Sequence, residues 1–410
     1  MMTDLTPAEA EKAAQPDGRY WQIFWLFCWL GCTSFGGPVA HLEVFRRVFV
    51  EQRRWFSAGQ YADLVALCQF LPGPASSQTG MAIGLLRAGY PGALCAWLGF
   101  TLPSALLLAA FAWLLLSHNG QWLTGVGQGL AVATVAVVAQ ALVGMSRTLA
   151  PDWPRRLLAV GCALLLFRAE HWAWQLLCLL LGTAIGWVWY RRKLESPANN
   201  SADWQQADQY LPGRKAGAGW LLLCAALLLL LPLLAQQQPV LWLQLSDSLY
   251  RAGALVFGGG HVVLPLLQAE AIPAGWLSDE QFLAGYGAAQ LVPGPLFSFG
   301  TFIGYLAGGW LGAVLATVAI FLPAWLLLVG ALPFWLQGLR QPGLQAACAG
   351  IHAVVLGFLL AAFIQPVLSH GIRSWPDAVL ALLAFVALQY GRLPVWLVVP
   401  LTAGAVLLAT

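Results

Sequence analysis

A set of helix-breaking motifs occurs twice in this chain, inside stretches that are otherwise almost continuously apolar. Phe35-Gly36-Gly37 returns as Phe257-Gly258-Gly259, and Gln69 with Pro72-Gly73-Pro74 returns as Gln290 with Pro293-Gly294-Pro295. Trp55, Ser57 and Gln60 return as Trp276, Ser278 and Gln281, while Gly92-Ala93, Leu102-Pro103 and Trp153-Pro154 recur as Gly312-Ala313, Leu322-Pro323 and Trp375-Pro376. The shift stays between 220 and 222 residues across all of them, so the chain reads as two copies of one unit.

Composition decides what kind of unit. Of 410 residues 60% are hydrophobic and 9% charged, where a soluble domain carries about 25% charged residues. That excludes a soluble or disordered chain, and a net charge of +3 gives no footprint for nucleic acid. The eight cysteines, Cys28, Cys32, Cys68, Cys95, Cys162, Cys178, Cys224 and Cys348, all lie in apolar stretches and read as small buried hydrophobes. Cys28 and Cys32 share a helix face but have no companion ligands, so neither a metal nor a cofactor is expected. The expected class is an all-α polytopic membrane protein.

Apolar segments run at roughly 21–40, 61–84, 91–117, 122–146, 155–168 and 172–190, and again at about 243–260, 261–306, 309–333, 344–368, 375–390 and 393–409. The expected division is a polar tail at 1–19, a first repeat at 20–190, a linker at 191–218, one connecting transmembrane helix at 219–235 and a second repeat at 240–410. The tail lacks the basic start of a cleavable signal, so it is expected to be retained. A single crossing between two like units inverts the second relative to the first.

The distribution of Lys and Arg tests this topology. If the first two segments of each half are re-entrant hairpins, broken at Phe-Gly-Gly and Pro-Gly-Pro, nine full crossings remain. Of the 20 basic residues only Arg168, Arg251 and Arg373 then fall outside, as the positive-inside rule asks. Full crossing by every segment would put the Arg46–Arg54 cluster and the 191–215 linker on opposite faces.

Gly36-Gly37-Pro38 and Pro72-Gly73-Pro74 weaken helical hydrogen bonds, and broken backbone in hydrocarbon survives only against protein or a wet cavity. Freed N–H groups and the positive ends of helices attract anions. Four such breaks, brought together by a pseudo-two-fold, would form the candidate site. Around them lie neutral donors: Ser34, His41, Gln69, Ser76, Ser77, Gln78 and Thr79 in the first half, and His261, Gln290, Ser298 and Thr301 in the second. Glu43 is expected to pair with Arg46 or Arg47 one turn on. Asp63 and Glu270, near the breaks, are candidates for a coupling proton.

With these residues assembled, the chain resembles the chromate ion transporter family in its long two-domain form. The resemblance rests on Phe35-Gly36-Gly37-Pro38 with its basic run, Trp55 and Gln69-Phe70-Leu71-Pro72-Gly73-Pro74, and on Phe257-Gly258-Gly259-Gly260, Trp276 and Gln290-Leu291-Val292-Pro293-Gly294-Pro295. It implies a multi-pass inner-membrane protein that expels chromate, driven by membrane potential or proton gradient, with sulfate as a structural analogue. It also implies substrate-binding roles for the Phe-Gly-Gly and Pro-Gly-Pro residues and for Glu43, Arg46 and Arg47. The second half departs from this pattern, with no basic run after its motif and Val263 opposite His41.

Physics favours export of such an ion independently, because an inside-negative potential drives a dianion outward by about 4.6 kcal/mol per 100 mV. No nucleotide-binding fingerprint is present, which argues against direct ATP drive. The rival readings are a sulfate or other oxyanion transporter of the same architecture, a channel, and an intramembrane enzyme. The last lacks any nucleophile or metal signature, so no catalytic residues are expected. The expected partners are a small inorganic oxyanion and the lipid bilayer, with a homodimer left open.

Overall fold

The computed structural model describes residues 20–35, 37–117, 121–166, 172–190, 210–238, 240–256, 263–335 and 342–409. Among these residues every regular element is helical and there is no strand. The first half comprises α1 (Tyr20–Thr33), α2 (Gly37–Arg46, running on through a wider turn to Gln52), α3 (Ala58–Phe70), α4 (Ala75–Ser117), α5 (Gln121–Leu149), α6 (Trp153–Leu166) and α7 (Trp172–Tyr190). A single helix, α8 (Arg214–Gln237), follows. The second half repeats the order: α9 (Leu241–Leu255), α10 (Val263–Ala271), α11 (Asp279–Leu291), α12 (Phe299–Trp335, entered through a tight turn at Leu296–Ser298), α13 (Pro342–Ala362), α14 (Trp375–Gln389) and α15 (Val395–Ala409).

Each of the seven helices before α8 therefore has a counterpart after it, and the repeated residues show why. Ser57 and Ser278 cap α3 and α11 through the same reciprocal box. Each hydroxyl accepts from the amide of Gln60 or Gln281, and each glutamine carbonyl accepts from the serine amide, at 2.9–3.2 Å. The long helices α4 and α12 are each two helices joined by a sharp turn. It lies at Ala88-Gly89 in one and Gly308-Gly309 in the other, with Gly89 and Gly309 at φ +67° and +61°. Only glycine enters that region without steric cost.

Helix lengths fix how the elements relate to a bilayer. The hairpin arms α1 and α3 have 14 and 13 residues, about 20 Å of helix against a hydrocarbon core of about 30 Å. Each ends at a break, α1 at Ser34 and Phe35 and α3 at Leu71 to Gly73, as expected of re-entrant hairpins. Among the described residues five stretches are long and apolar enough to cross: Ala75–Ser117, Gly125–Arg147, Arg214–Gln237, Leu296–Trp335 and Ala349–Gly371. The helices α6, α14 and α15 are shorter, at 14 or 15 residues. The chain is thus a multi-pass membrane protein built from two inverted-topology repeats joined by one extra transmembrane helix. That helix, α8, buries little and turns Leu222, Leu229 and Leu230 outward, as a lipid-facing element does.

The halves interlock more than two separate bundles would. Helix α5 of the first half packs against α11, α14 and α15 of the second, and α13 of the second packs against α6 and α7 of the first. Small residues allow the approach: Gly129 lies against Ala403, Gly182 against Gly350, and Gly357 against Ala159. Without a strong hydrophobic drive between helices in lipid, such close backbone contact is what holds them. Aromatic clusters fill each hairpin pair, Phe27 with Phe45 and Phe49 in the first half and Phe282 with Phe299 in the second.

Candidate functional site

The breaks of the two halves meet and hydrogen-bond to one another. The Gly73 N–H donates to the Val256 carbonyl at 2.7 Å, and the Gly294 N–H donates to the Ser34 carbonyl at 3.0 Å. Val256 stands 222 residues after Ser34 and Gly294 stands 221 after Gly73, so the two bonds are one contact made twice. Both glycines have positive φ, +121° and +105°. A side chain there would also crowd the opposite half: Ala324 beside Gly73, Ser104 beside Gly294. These amides were expected to face an anion; they are instead committed across the interface.

That commitment leaves the positive helix ends in play. The Ser34 carbonyl, just past the C-terminus of α1, accepts from Gly294 and lies 3.2 Å from the His41 Nε2. Its negative end is thereby covered. At this junction the cavity wall includes the start of α2, at Gly37 and Pro38, the turn leading into α12, at Leu296, and the start of α15, at Val395. Helix starts carry partial positive charge.

A cavity of about 300 Å³ lies at this junction. It is lined by Ser34, Gly37 and Pro38 from the first break, Gln290 and Gly294 from the second-half break, Gln140 and Gly144 from α5, and Gln389 at the end of α14. Among the described residues no Lys, Arg, His, Asp or Glu lines it. Two of its polar atoms, the Ser34 hydroxyl and the Gln290 amide nitrogen, are buried without a hydrogen-bond partner. The Tyr286 hydroxyl lies beside the same amide, one turn back on α11. Buried donors without partners are costly, so a site holding two of them is poised for an acceptor-rich ligand.

Around this pocket His41 is fully buried, its Nδ1 3.3 Å from the Ser76 hydroxyl, which braces α2 against α4. Gln78 donates to the Pro72 carbonyl at 2.9 Å and closes the first-half turn between Pro72 and Pro74. The Ser77 hydroxyl is buried without a partner. Ser298, after the Pro293–Pro295 turn, meets Ser104 of the other half at 2.6 Å. Thr301 meets Thr317 at 2.7 Å within α12.

Other expected site residues lie away from the cavity. Glu43 pairs with Arg46 through two bonds of 2.7 and 3.0 Å, and Arg46 also reaches Glu51 at 2.9 Å, all at the surface. Arg47 is exposed on the same turn, as is Phe35 beside the break. Gln69, the repeat partner of Gln290, is exposed. Gly36, Phe257, Gly258, Gly259, Gly260 and His261 lie outside the described residues. Glu270 is held in an ion-paired cluster, where Arg251 bridges it at 2.9 Å and Asp247 at 2.8 Å.

The sequence reading did not single out Gln140 or Gln389. Both sit on helices that carry no break, and only the interlocking of α5 with the second half brings them to the pocket. Gln140 donates to the Leu388 carbonyl at 3.2 Å, tying α5 to the end of α14. No group of metal-binding side chains occurs among the described residues.

Comparison with known proteins adds to this geometry. The sequence model of a family described as chromate transporter matches residues 21–187 and again 243–408. A chromate transport protein of Pseudomonas aeruginosa is 32% identical over 316 residues, 76% of this chain and 73% of its own. One from Cupriavidus metallidurans is 28% identical over 390 residues, covering 92% and 90%. A probable chromate transport protein of Synechococcus elongatus is 27% identical over 349 residues, covering 84% and 83%. No solved structure matches the chain.

Proposed function

This chain belongs to the chromate transporter family, and we propose that it exports chromate from the cytoplasm across the inner membrane, conferring resistance to it. The observation that carries this reading is the cavity between the halves, uncharged among its described residues, where the Ser34 hydroxyl and the Gln290 amide nitrogen lack partners and helix starts form part of the wall. A tetrahedral oxyanion supplies what they lack, acceptors on every side. Binding by neutral donors and helix starts leaves most of the ion's charge uncompensated by fixed cations, so it can leave as well as enter. The inside-negative potential then drives a dianion outward by about 4.6 kcal/mol per 100 mV, with a proton gradient as the other available drive.

The domain limits follow the repeat: 20–190 and 240–410 as transport units, with a cytoplasmic linker after 190 that ends at Gly213, since α8 begins at Arg214 and not at the expected 219. The inverted halves and the cross-bonded breaks favour alternating access over an open channel, since such a channel would have no need of a contact that closes its centre. A sulfate carrier of the same architecture is the second reading, because sulfate shares charge and shape with chromate and would meet the same donors. A dimer would leave the site unchanged, since all its lining comes from one chain.

The test is chromate accumulation in everted membrane vesicles containing the protein, energised and then collapsed with an ionophore, with excess sulfate as competitor. Energy-dependent accumulation is the expected result. Transport of sulfate with no movement of chromate would replace the substrate and keep the architecture.

A further inference from the structure

Three helices run side by side from the cavity to one face of the molecule, and at that face an ion pair and a set of hydrogen bonds join them. Helix α5 carries Gln140 at the cavity and Gln128 twelve residues earlier; α11 carries Gln290 at the cavity and Glu280 ten residues earlier; α14 carries Gln389 at the cavity and Asp377 twelve residues earlier. Each interval is about 15–18 Å of helix, and α5 packs on both of the others.

At the far end the three are joined. Arg373 in the connector before α14 donates to Glu280 of α11 at 3.0 Å. His370 lies 3.8 Å from Asp279 of the same helix turn, and Asp279 also accepts from Gln268 of α10 at 3.2 Å. The buried Asp377 accepts from the Arg373 and Ser374 amides at 3.1 and 3.0 Å and lies 3.3 Å from the Gln128 amide nitrogen. Gln128 reaches the Gly371 carbonyl at 3.2 Å as well.

The first half lacks these side chains at the equivalent positions. The positions matching Asp279 and Glu280 are Ala58 and Gly59, and those matching His370 and Arg373 are Thr148 and Pro151. At the start of α6 Arg155 pairs with Asp152 three residues earlier, at 3.1 Å. The hairpin fold therefore does not require the Glu280–Arg373 and Asp279–His370 ties.

We propose that the Glu280–Arg373 and Asp279–His370 contacts form the gate on the far side of the transport path, closed while the cavity faces the other way. The inference rests on the export reading, in which Arg373 lies outside and the cavity is loaded from the cytoplasm. Release then requires these ties to break so that α11 and α14 separate at their far ends, with the two ends of each helix moving in opposite senses about the cross-bonded breaks. The four side chains are positioning residues: they touch no substrate and act through α11 on Gln290.

Two measurements test it. In everted vesicles, Glu280→Arg and Arg373→Glu each weaken the closed state and raise the KM for chromate about threefold, the scale of an exposed ion pair, while Vmax holds or rises. The doubly swapped variant returns KM toward wild type. A KM unmoved by either single change, or not restored by the swap, overturns the gate.

The second measurement does not depend on transport. In a chain whose native cysteines are replaced, Glu280→Cys and Arg373→Cys are bridged with a reducible bifunctional thiosulfonate, and a third cysteine at cavity residue Ala141 is labelled with an impermeant reagent from either side. Labelling from the cytoplasmic side alone when bridged, and from both sides after reduction, supports the gate. Labelling from both sides while bridged overturns it, even if chromate proves not to be the substrate. Wild-type vesicles that move no chromate, with labelling behaving as expected, would sink the export reading and leave the gate standing.

Discussion

The amide of Gly73 donates to the carbonyl of Val256 at 2.7 Å, joining the second break of one repeat to the first break of the other. Its mirror contact, Gly294 to Ser34 at 3.0 Å, closes the pair. Two chain breaks in hydrocarbon each leave orphan backbone groups, and neither repeat satisfies all of its own. Pairing them across the interface meets part of that need and fixes the pseudo-two-fold at the centre of the molecule.

This arrangement ranks the motif glycines. Alanine at Gly73 or Gly294 must adopt φ near +121° or +105°, and its Cβ would come within 3.1 Å of atoms beyond the break. Gly37 also has positive φ, +78°, but open space around it. Strain alone costs about 1–3 kcal/mol, so Gly37→Ala should lower stability by about that much, and Gly73→Ala and Gly294→Ala by more. Thermal unfolding of the detergent-solubilised variants would check the order. Equal losses at all three would mean that crowding against the opposite half contributes nothing.

Ser34 offers the reverse case, a buried hydroxyl that lines the cavity and has no hydrogen-bond partner in the protein. Removing it takes away no hydrogen bond within the protein, so Ser34→Ala should leave the unfolding temperature unchanged or slightly raised. A hydrogen bond to a charged ligand is worth about 1.5–3 kcal/mol, so the same change should raise the KM for chromate by about tenfold or more. A fall in stability with KM unmoved would show the hydroxyl to be structural.

The two capping boxes allow a test of the repeat itself. Ser57→Ala and Ser278→Ala each remove one reciprocal cap of the same geometry, a loss of about 1 kcal/mol. The two variants should therefore lose similar stability by chemical or thermal unfolding, with little change in transport. Unequal losses would mean that α3 and α11, alike in sequence, are not equally important to their halves.

Much of this architecture was legible because breakers are rare in apolar helices and repeat audibly when the chain is duplicated. The breaks, the duplication and the single helix between the halves follow from that register. The interlocking of α5 and α13 was not legible, since it depends on small residues such as Gly129 and Gly350 that in sequence look like any other helical glycine. Gln140 and Gln389 were missed for the same reason. Symmetry in sequence also suggested symmetry in the site, and here residues without counterparts decide otherwise: Gln140 of α5 corresponds to Ala362, and Glu280 of α11 to Gly59.

That asymmetry yields the sharpest contrast between repeat partners. Gln69 and Gln290 occupy matching positions before Pro-Gly-Pro, and sequence alone treats them as equals. Gln290 lines the cavity with its amide nitrogen buried, while Gln69 is exposed. Gln290→Leu should therefore raise the KM for chromate by about tenfold or more, the loss of one hydrogen bond to a charged ligand. Gln69→Leu should stay within about twofold of wild type, as expected of a surface change. Uptake kinetics in everted vesicles would separate them at matched protein levels. If the two variants are equally impaired, the anion visits both halves in turn, and the cavity beside Gln290 is only one of two stations.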